Sequence, residues 1–278
     1  MKLYKTNDSI IIESGEFCYQ LPVQDWDAYI NRDDLYEQMK KDIATLKPAG
    51  DLEWLKNQSI VAPIESQEIW AAGVTYLRSK VARMEESKES GGDTFYDKVY
   101  DAERPELFFK GTALRAVGDG GYVCIRKDST WDVPEPELTL FITSSGKIVA
   151  YTIGNDMSSR SIEGENPLYL PQAKVYNNSA GLGPGLYVSE KPISPDTKIS
   201  LEIHRDNALV FSGDTLISQM KRSHEELAEF LMRELSFPKG VFLMTGTCIV
   251  PDHPFTLQTG DEIFITIDSI GTLKNMVA

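Results

Sequence analysis

The chain has 278 residues and a formal charge of −14 at pH 7, with 41% hydrophobic and 25% charged residues. These values are ordinary for a soluble globular protein, and the length allows one large domain or a medium domain with a small one. The acidic balance argues against a basic stripe, so we expect no nucleic-acid partner. A small anionic substrate stays compatible with this charge, because a bound metal ion and a few local cations can override the overall field.

The three cysteines, Cys18, Cys124 and Cys248, lie far apart, which fits a reducing compartment better than a disulfide framework. The first residues lead straight into a strand-like stretch without a signal-peptide pattern, and no apolar run approaches membrane-spanning length. The sequence therefore predicts a cytoplasmic protein with no membrane partner.

Residues 1–62 are predicted to form a small N-terminal α/β domain. Two apolar runs flank Ser14-Gly15, which predicts a hairpin, and residues 33–46 carry apolar side chains at helical spacing. A helix breaker follows at 47–50, and residues 63–278 are predicted to form the main domain.

The main domain is predicted to begin with a mostly apolar strand at 68–75. A charged, helix-permissive stretch follows and ends in a Gly-Gly break at 91–92. Such a segment is typical of plain surface and also of a mobile lid over a cleft. The sequence leaves both interpretations of residues 77–103 open.

Strands dominate the rest of the chain and are predicted at 106–110, 122–125, 199–204 and 262–267. One helix is predicted from Ser223 to Leu235, because Ser223 is a good N-cap and Glu226 completes a capping box. Helices alternate with strands too rarely for βαβ units. The sequence therefore predicts an α+β, β-rich fold with mixed or antiparallel sheets.

Glu135 and Glu137 lie two residues apart in a strand-like run, so their side chains are predicted to share one face. If the segment 144–146 closes a tight hairpin, opposed residues have position numbers that sum to about 290. Asp156 then lies across from Glu135, and an odd sum or one bulge puts both on the same face. Three converging carboxylates repel each other, and a divalent cation that favours oxygen ligands would relieve this repulsion. The alternative is a solvated acidic face without a metal.

Short motifs run through the main domain in a fixed order, at 104–110, 134–138, 154–160, 172–174, 181–184, 245–247 and 260–263. Together, from about Pro63 to the end, they resemble the fumarylacetoacetate hydrolase superfamily. The resemblance implies a mixed β-sandwich roll and assembly as a homodimer or homotetramer. It also implies a divalent metal bound by Glu135, Glu137 and Asp156, with Mg²⁺ as the expected ion and Mn²⁺ or Ca²⁺ as alternatives.

Two longer stretches, 163–174 and 96–106, resemble the 2-keto-3-deoxy-D-arabinonate dehydratase branch of that superfamily. The resemblance implies a hydro-lyase that converts a small anionic 2-keto acid, a 2-keto-3-deoxy-pentonate, to 2,5-dioxopentanoate and water. Carbon–carbon hydrolases of the superfamily carry a histidine just after the strand end, but residues 73–80 contain none. The three histidines, His204, His224 and His253, all lie far downstream. Without this general base, the sequence favours a lyase over a hydrolase.

The resemblance also implies roles for individual side chains. It places Lys174 and Glu106 beside the metal as proton-transfer residues, and it leaves open which is the base and which the acid. On position alone, Lys174 would be an ordinary surface charge and Glu106 a strand salt bridge. The expected substrate contacts are the oxygen-binding Arg160 and Gln172, the carboxylate donor Thr247, the pocket-lining Thr75 and Tyr76, and Gly246, where a side chain would crowd the ligand.

Two other functions stay open at this point. One is an acylpyruvate hydrolase, or an oxaloacetate decarboxylase or keto–enol isomerase, which would share the same chelation of a 2-keto acid. The other is a non-catalytic protein that keeps the fold, which would be expected to lack one or more of the metal ligands.

Overall fold

The structure is a computed structural model that describes residues 1–22, 25–78 and 98–278. Most of the predicted lid segment, 77–103, lies outside the described residues. Within the described part, no helix combines the length and the apolar composition needed to cross a lipid bilayer.

Strands make up most of the regular structure. The N-terminal half contains β1 (Lys2–Thr6), β2 (Ile10–Ser14), β3 (Phe17–Leu21), β4 (Gly50–Asp51), β5 (Ile60–Val61), β6 (Glu68–Gly73), β7 (Glu106–Thr112), β8 (Ala116–Val117), β9 (Tyr122–Val123) and β10 (Asp132–Val133). The C-terminal half contains β11 (Pro136–Ile142), β12 (Ile148–Asp156), β13 (Ser158–Ser159), β14 (Ala180–Tyr187), β15 (Lys198–Arg205), β16 (Ala208–Leu216), β17 (Val241–Met244), β18 (Glu262–Ile267) and β19 (Gly271–Val277).

Helices with both ends described are short, apart from two. They are α1 (Trp26–Ile30), α2 (Leu35–Thr45), α3 (Leu52–Lys56), α4 (Arg160–Glu165), α5 (Leu170–Lys174) and α6 (His224–Met232). Helix α6 begins after Ser223, whose Oγ accepts a hydrogen bond from the Glu226 amide at 3.1 Å. This confirms the predicted N-cap, although the helix ends three residues before the predicted Leu235.

Two mixed sheets pack against each other. The large sheet has the order β4-β3-β2-β1-β14-β12-β11-β17-β6-β7, with β5 added on β1 and β8 on β14. The second sheet has the order β16-β15-β18-β19-β9. One apolar core lies between them, and a second core joins the large sheet to α1 and α2. The predicted β-rich fold with mixed sheets is confirmed.

The predicted hairpin is formed by β11 and β12, with Gly146 at φ +89° in the connecting loop. Paired position numbers sum to 290 beside the loop, and a bulge at Phe141/Ile142 raises the sum to 291 along the rest of the hairpin. Glu135 consequently lies opposite Asp156, whose amide donates to the Glu135 carbonyl at 3.0 Å. The odd sum places both carboxylates on one face, as predicted.

The N-terminal strands continue the large sheet. Strand β1 pairs with β14 through Leu3 and Leu186, and the predicted hairpin across Ser14-Gly15 is present as β2 and β3. The predicted helix over 33–46 is present as α2. The sheet is thus continuous across residue 62, and the division into domains 1–62 and 63–278 stays a prediction.

Candidate metal centre and its surroundings

Three buried carboxylates meet at the open end of the β11–β12 hairpin. Glu135, Glu137 and Asp156 each offer one oxygen atom, and these atoms lie within 4.8 Å of one another. Their exposed fractions are only 4%, 1% and 1%. Because all three carboxylates are buried, the alternative of a solvated acidic face is wrong for these residues.

Two cations neutralise Glu135. Lys174 Nζ donates to Glu135 Oε2 at 2.8 Å, and it also donates to Asp156 Oδ2 at 2.9 Å and Ser158 Oγ at 2.6 Å. Arg160 donates to the other oxygen, Glu135 Oε1, at 2.7 Å. Lys174 ends helix α5 and Arg160 begins helix α4, so each charge comes from the end of a short helix. Lys174 is only 1% exposed, so it is not the surface charge that position alone suggested.

A third cation, Lys110, was missed by sequence reasoning. Its Nζ lies 2.6 Å from Asp156 Oδ1 and donates to the carbonyls of Met157 and Lys174 at 2.9 and 2.5 Å. The side chain is completely buried. Burial lowers the pKa of Lys110, whereas the Asp156 charge acts in the opposite direction.

A β-bulge explains why Lys110 points into the site. Across β6 and β7, Ile69 pairs with Gly111 and Trp70 pairs with Phe109, which leaves Lys110 as the extra residue. A bulge re-aims one side chain without ending the strand. The only hint in the sequence was a lysine in the otherwise apolar run 107–111.

Glu137 is held by the backbone rather than by a cation. The Gly246 amide donates to Glu137 Oε2 at 2.6 Å. Burial raises the pKa of Glu137 well above its usual range, and the negative charges of Asp156 and Glu135 raise it further. Glu137 is therefore the carboxylate that most needs a further positive charge.

The local structure requires glycine at position 246 independently of any ligand. Its φ is +87°, and a Cβ there would lie 2.9 Å from the Ala72 carbonyl oxygen and still closer to Thr75 Oγ1. A side chain at position 246 would therefore collide with the end of β6 and with Thr75, even without a ligand. Thr75 Oγ1 in turn donates to the Thr245 carbonyl at 2.7 Å.

The other predicted residues differ in how deeply they are buried. Tyr76 is buried, and its pKa is raised by burial, with further contributions from Cys248 and Glu137. Thr247 is 6% exposed, and its Oγ1 accepts from the Ile249 amide at 3.1 Å. Glu106 begins β7 half-buried, opposite Gly73. Gln172 is the exception, because its side chain is exposed.

The three histidines lie on separate parts of the chain. His204 is on strand β15 beside Glu202, and His224 is the first residue of α6. The ring of His253 contacts the edge of Trp131 at a centroid distance of 5.6 Å. None of the described hydrogen bonds or ion pairs of the carboxylate trio involves a histidine.

The carboxylate trio fits a divalent cation. Carboxylate oxygens are the ligands that Mg²⁺, Mn²⁺ and Ca²⁺ prefer. Each carboxylate has about four acceptor positions, so the contacts described above leave room for a metal bond. Lys110, Lys174 and Arg160 bring positive charge to the trio, and the buried Glu163 lies 3.9 Å from Arg160.

Comparison with known proteins gives a consistent result. The family model of the fumarylacetoacetate (FAA) hydrolase C-terminal domain matches residues 69–278. A probable 2-keto-3-deoxyxylonate dehydratase from Haloferax volcanii is 50% identical over 216 residues, which are 77% of this chain and 73% of the relative. The 2-dehydro-3-deoxy-D-arabinonate dehydratase of Saccharolobus solfataricus is 43% identical, over 77% of this chain and 72% of that protein.

The likeness extends to a solved structure over the whole chain. It is the 2-keto-3-deoxy-D-arabinonate dehydratase complexed with magnesium and 2,5-dioxopentanoate, at a TM-score of 0.86 and 35% identity. The match covers 100% of this chain and 98% of that one. The predicted fold of this superfamily is thereby confirmed.

Proposed function

The chain belongs to the fumarylacetoacetate hydrolase family, and we propose that it is a divalent-metal-dependent dehydratase acting on a 2-keto-3-deoxy sugar acid. The reaction removes water from a five-carbon acid and gives 2,5-dioxopentanoate. The observation that carries this proposal is the buried trio of Glu135, Glu137 and Asp156, with Lys174 in contact with two of its members. The names of the two relatives and of the solved structure support the same reaction class.

The proposed substrate has a single stereocentre. Once C2 of a pentonate is a keto group and C3 a methylene, only C4 stays chiral. Xylonate and arabinonate of the same D or L series therefore give one and the same 2-keto-3-deoxy acid. We propose the D form of this acid as the substrate, since the D series is printed in the name of one relative and of the solved structure.

Glu135, Glu137 and Asp156 are the proposed ligands of the cation, with Mg²⁺ as the expected ion. When bound, this ion draws electron density from the keto group of a 2-keto acid and so makes its C3 proton more acidic. The positive charge of this ion suits the substrate carboxylate.

Lys174 and Glu106 are the proposed proton-transfer residues. Lys174 Nζ lies inside the carboxylate cluster, and it is the proposed acceptor of the C3 proton. Glu106 delivers a proton to the hydroxyl that leaves C4, so that one hydrogen and one hydroxyl depart as water. The reverse assignment of base and acid uses the same two groups. A later tautomerisation through C5 yields the aldehyde.

The proposed substrate contacts are those expected from the sequence. Arg160 donates to Glu135 and Gly246 to Glu137, and Thr247, the residue after Gly246, is the proposed donor to the substrate carboxylate. Thr75 and Tyr76 line the adjacent strand end. Gln172 is proposed only as a contact at the exposed rim.

A screen of stereochemically defined acids tests the proposal. Purified protein is incubated with Mg²⁺ and each enantiomer of 2-keto-3-deoxy-pentonate, and the aldehyde product is measured through NAD(P)⁺ reduction by an aldehyde dehydrogenase. We expect turnover of the D form and its loss in EDTA. Acetylpyruvate and oxaloacetate are assayed in parallel. If the protein turns over only one of these and no sugar acid, it is a hydrolase or a decarboxylase and not a dehydratase.

Two further properties stay predictions from the sequence. They are the homodimeric or homotetrameric state and the cytoplasmic location. Sedimentation velocity on the purified protein tests the first.

A further inference from the structure

The ends of two neighbouring strands set the position of Glu106. Strand β6 ends at Gly73, β7 begins at Glu106, and these two residues pair. The Glu106 carboxylate packs directly over Gly73, because a Cβ placed there would overlap it. The chain that leaves β6 and the chain that enters β7 therefore control where this carboxylate lies.

The dipeptide Lys221-Arg222 contacts both of these chain segments. The Lys221 amide donates to the Thr75 carbonyl at 2.9 Å, two residues beyond β6. The Arg222 guanidinium donates to three carbonyls just before β7, those of Val99, Ala102 and Glu103, at 3.2, 2.7 and 3.1 Å.

Arg222 is suited to this task by its burial and shape. It is 7% exposed, and Glu226 balances its charge at 2.5 Å. Residues 98–101 are helical, and a cation at the C-terminal end of a helix neutralises the carbonyls left without a partner there. The planar guanidinium has five donors in a fixed fork, so it serves several acceptors at once, whereas a lysine ammonium does not reproduce this geometry.

The strand end held by Lys221 is strained. Val74 has a φ of +53°, which a β-branched residue rarely adopts. Such a conformation persists only where the surroundings over-determine it. Thr75 provides this support, since its hydroxyl is bonded to the Thr245 carbonyl and its own carbonyl to the Lys221 amide. The strained residue Val74 directly follows Gly73, the partner of Glu106. The carbonyls bound by Arg222 lie three to seven residues before Glu106.

We propose that Arg222 is a positioning residue for the reaction. It fixes the backbone of 99–103 and thereby the Glu106 carboxylate at the start of β7. This inference rests on the proposed function in one respect, the proton transfer by Glu106. The role depends on backbone carbonyls, so it leaves no trace in the motifs of the sequence.

The test compares Arg222→Met with a matched control, Arg233→Met. Arg233 also forms an i,i+4 pair, with Glu229 at 2.6 Å, but both side chains are largely exposed. In Arg222→Met, kcat should fall by about tenfold to a hundredfold, because a shift of about 1 Å in a catalytic group costs that much. Mg²⁺ affinity, measured by calorimetric titration, should stay within about twofold, since none of the carboxylate trio moves. Arg222→Lys should recover only part of kcat, and Arg233→Met should match the wild type.

A double variant separates positioning from general damage. If Arg222 acts through Glu106, then Arg222→Met with Glu106→Gln should be no slower than Glu106→Gln alone. Fully multiplied losses in the double variant would overturn the inference. So would a kcat of Arg222→Met within twofold of the wild type, or a parallel loss of Mg²⁺ affinity.

Hydrogen–deuterium exchange tests whether Arg222 fixes the backbone at 98–110, and this test does not depend on the proposed enzymatic function. Arg222→Met should exchange faster at 98–110 and at the wild-type rate elsewhere, whereas Arg233→Met should not change at 98–110. If the wild-type protein turns over no sugar acid, the proposed function fails alone, and these exchange rates then decide. Exchange at 98–110 that is unchanged, or that rises uniformly over the chain, would overturn the role of Arg222.

Discussion

Replacing Lys110 by methionine removes the most deeply buried charge beside the carboxylate trio. Methionine keeps most of the length and volume of the side chain but lacks the ammonium group. Asp156 then loses one of its two ion pairs, the one at 2.6 Å, and the carbonyls of Met157 and Lys174 lose a donor.

The size of the effect follows from this geometry. Removing one partner of a buried ion pair costs about 3–5 kcal/mol where the other charge is left without compensation, whereas Asp156 keeps Lys174 at 2.9 Å. We therefore expect Lys110→Met to lower the free energy of unfolding by about 3 kcal/mol, the lower end of that range. For a chain of this size, that loss lowers Tm by about 10 °C.

Thermal and urea denaturation of the metal-free protein measure this loss. The control is Lys198→Met, since Lys198 and Asp214 form an exposed pair at 3.5 Å. Exposed pairs of this kind contribute at most about 1 kcal/mol. If Lys110→Met unfolds within about 1 kcal/mol of the control, the structural role given to Lys110 is refuted.

Three further predictions concern Gly246, Glu137 and His224. Gly246→Ala forces a side chain onto Thr75 at a φ of +87°, so we expect a loss of about 1–3 kcal/mol in urea denaturation and weaker Mg²⁺ binding by calorimetry. Because the pKa of Glu137 is raised, protons compete with the metal, so Mg²⁺ affinity should rise between pH 5 and 8, and a flat profile would contradict this. Burial lowers the pKa of His224 below its ordinary value of 6.5. Just below pH 6.5, His224 is therefore protonated in the unfolded chain but stays neutral in the folded chain. The stability that His224 contributes is therefore present above about pH 6.5 and lost as the pH falls toward its folded pKa, and Tm should drop more steeply than in His224→Gln.

The carboxylate trio was predictable because its causes are local. The side-chain period of two on a strand and the length of the 144–146 loop together decide which residues face each other. Glu135 and Asp156 share one face only if the position numbers of opposed residues have an odd sum. The bulge at Phe141/Ile142 changes this sum from 290 to 291. Pattern and turn geometry were enough here, since both act over fewer than thirty residues.

Lys110 and Arg222 could not be predicted in the same way. Lys110 enters the site through a bulge that depends on how β7 pairs with β6, and neighbouring residues in sequence do not specify that pairing. Arg222 acts on carbonyls that lie about 120 positions away in the chain, and carbonyls leave no mark in the sequence. The reason for Gly246 is likewise tertiary, because the obstacle is Thr75 on another strand end.

Glu137→Gln, assayed for Mg²⁺ binding and for turnover in the same preparation, tests the metal centre most directly. Glutamine keeps the size of the side chain and still accepts the bond from the Gly246 amide, so the change removes little except the charge. Glu202→Gln, at an exposed carboxylate on β15, is the control. We expect Mg²⁺ affinity to fall by about a hundredfold and turnover of the sugar acid to fall with it, while the control stays at the wild-type level. Undiminished Mg²⁺ binding and turnover in Glu137→Gln would contradict a metal-dependent reaction at this site.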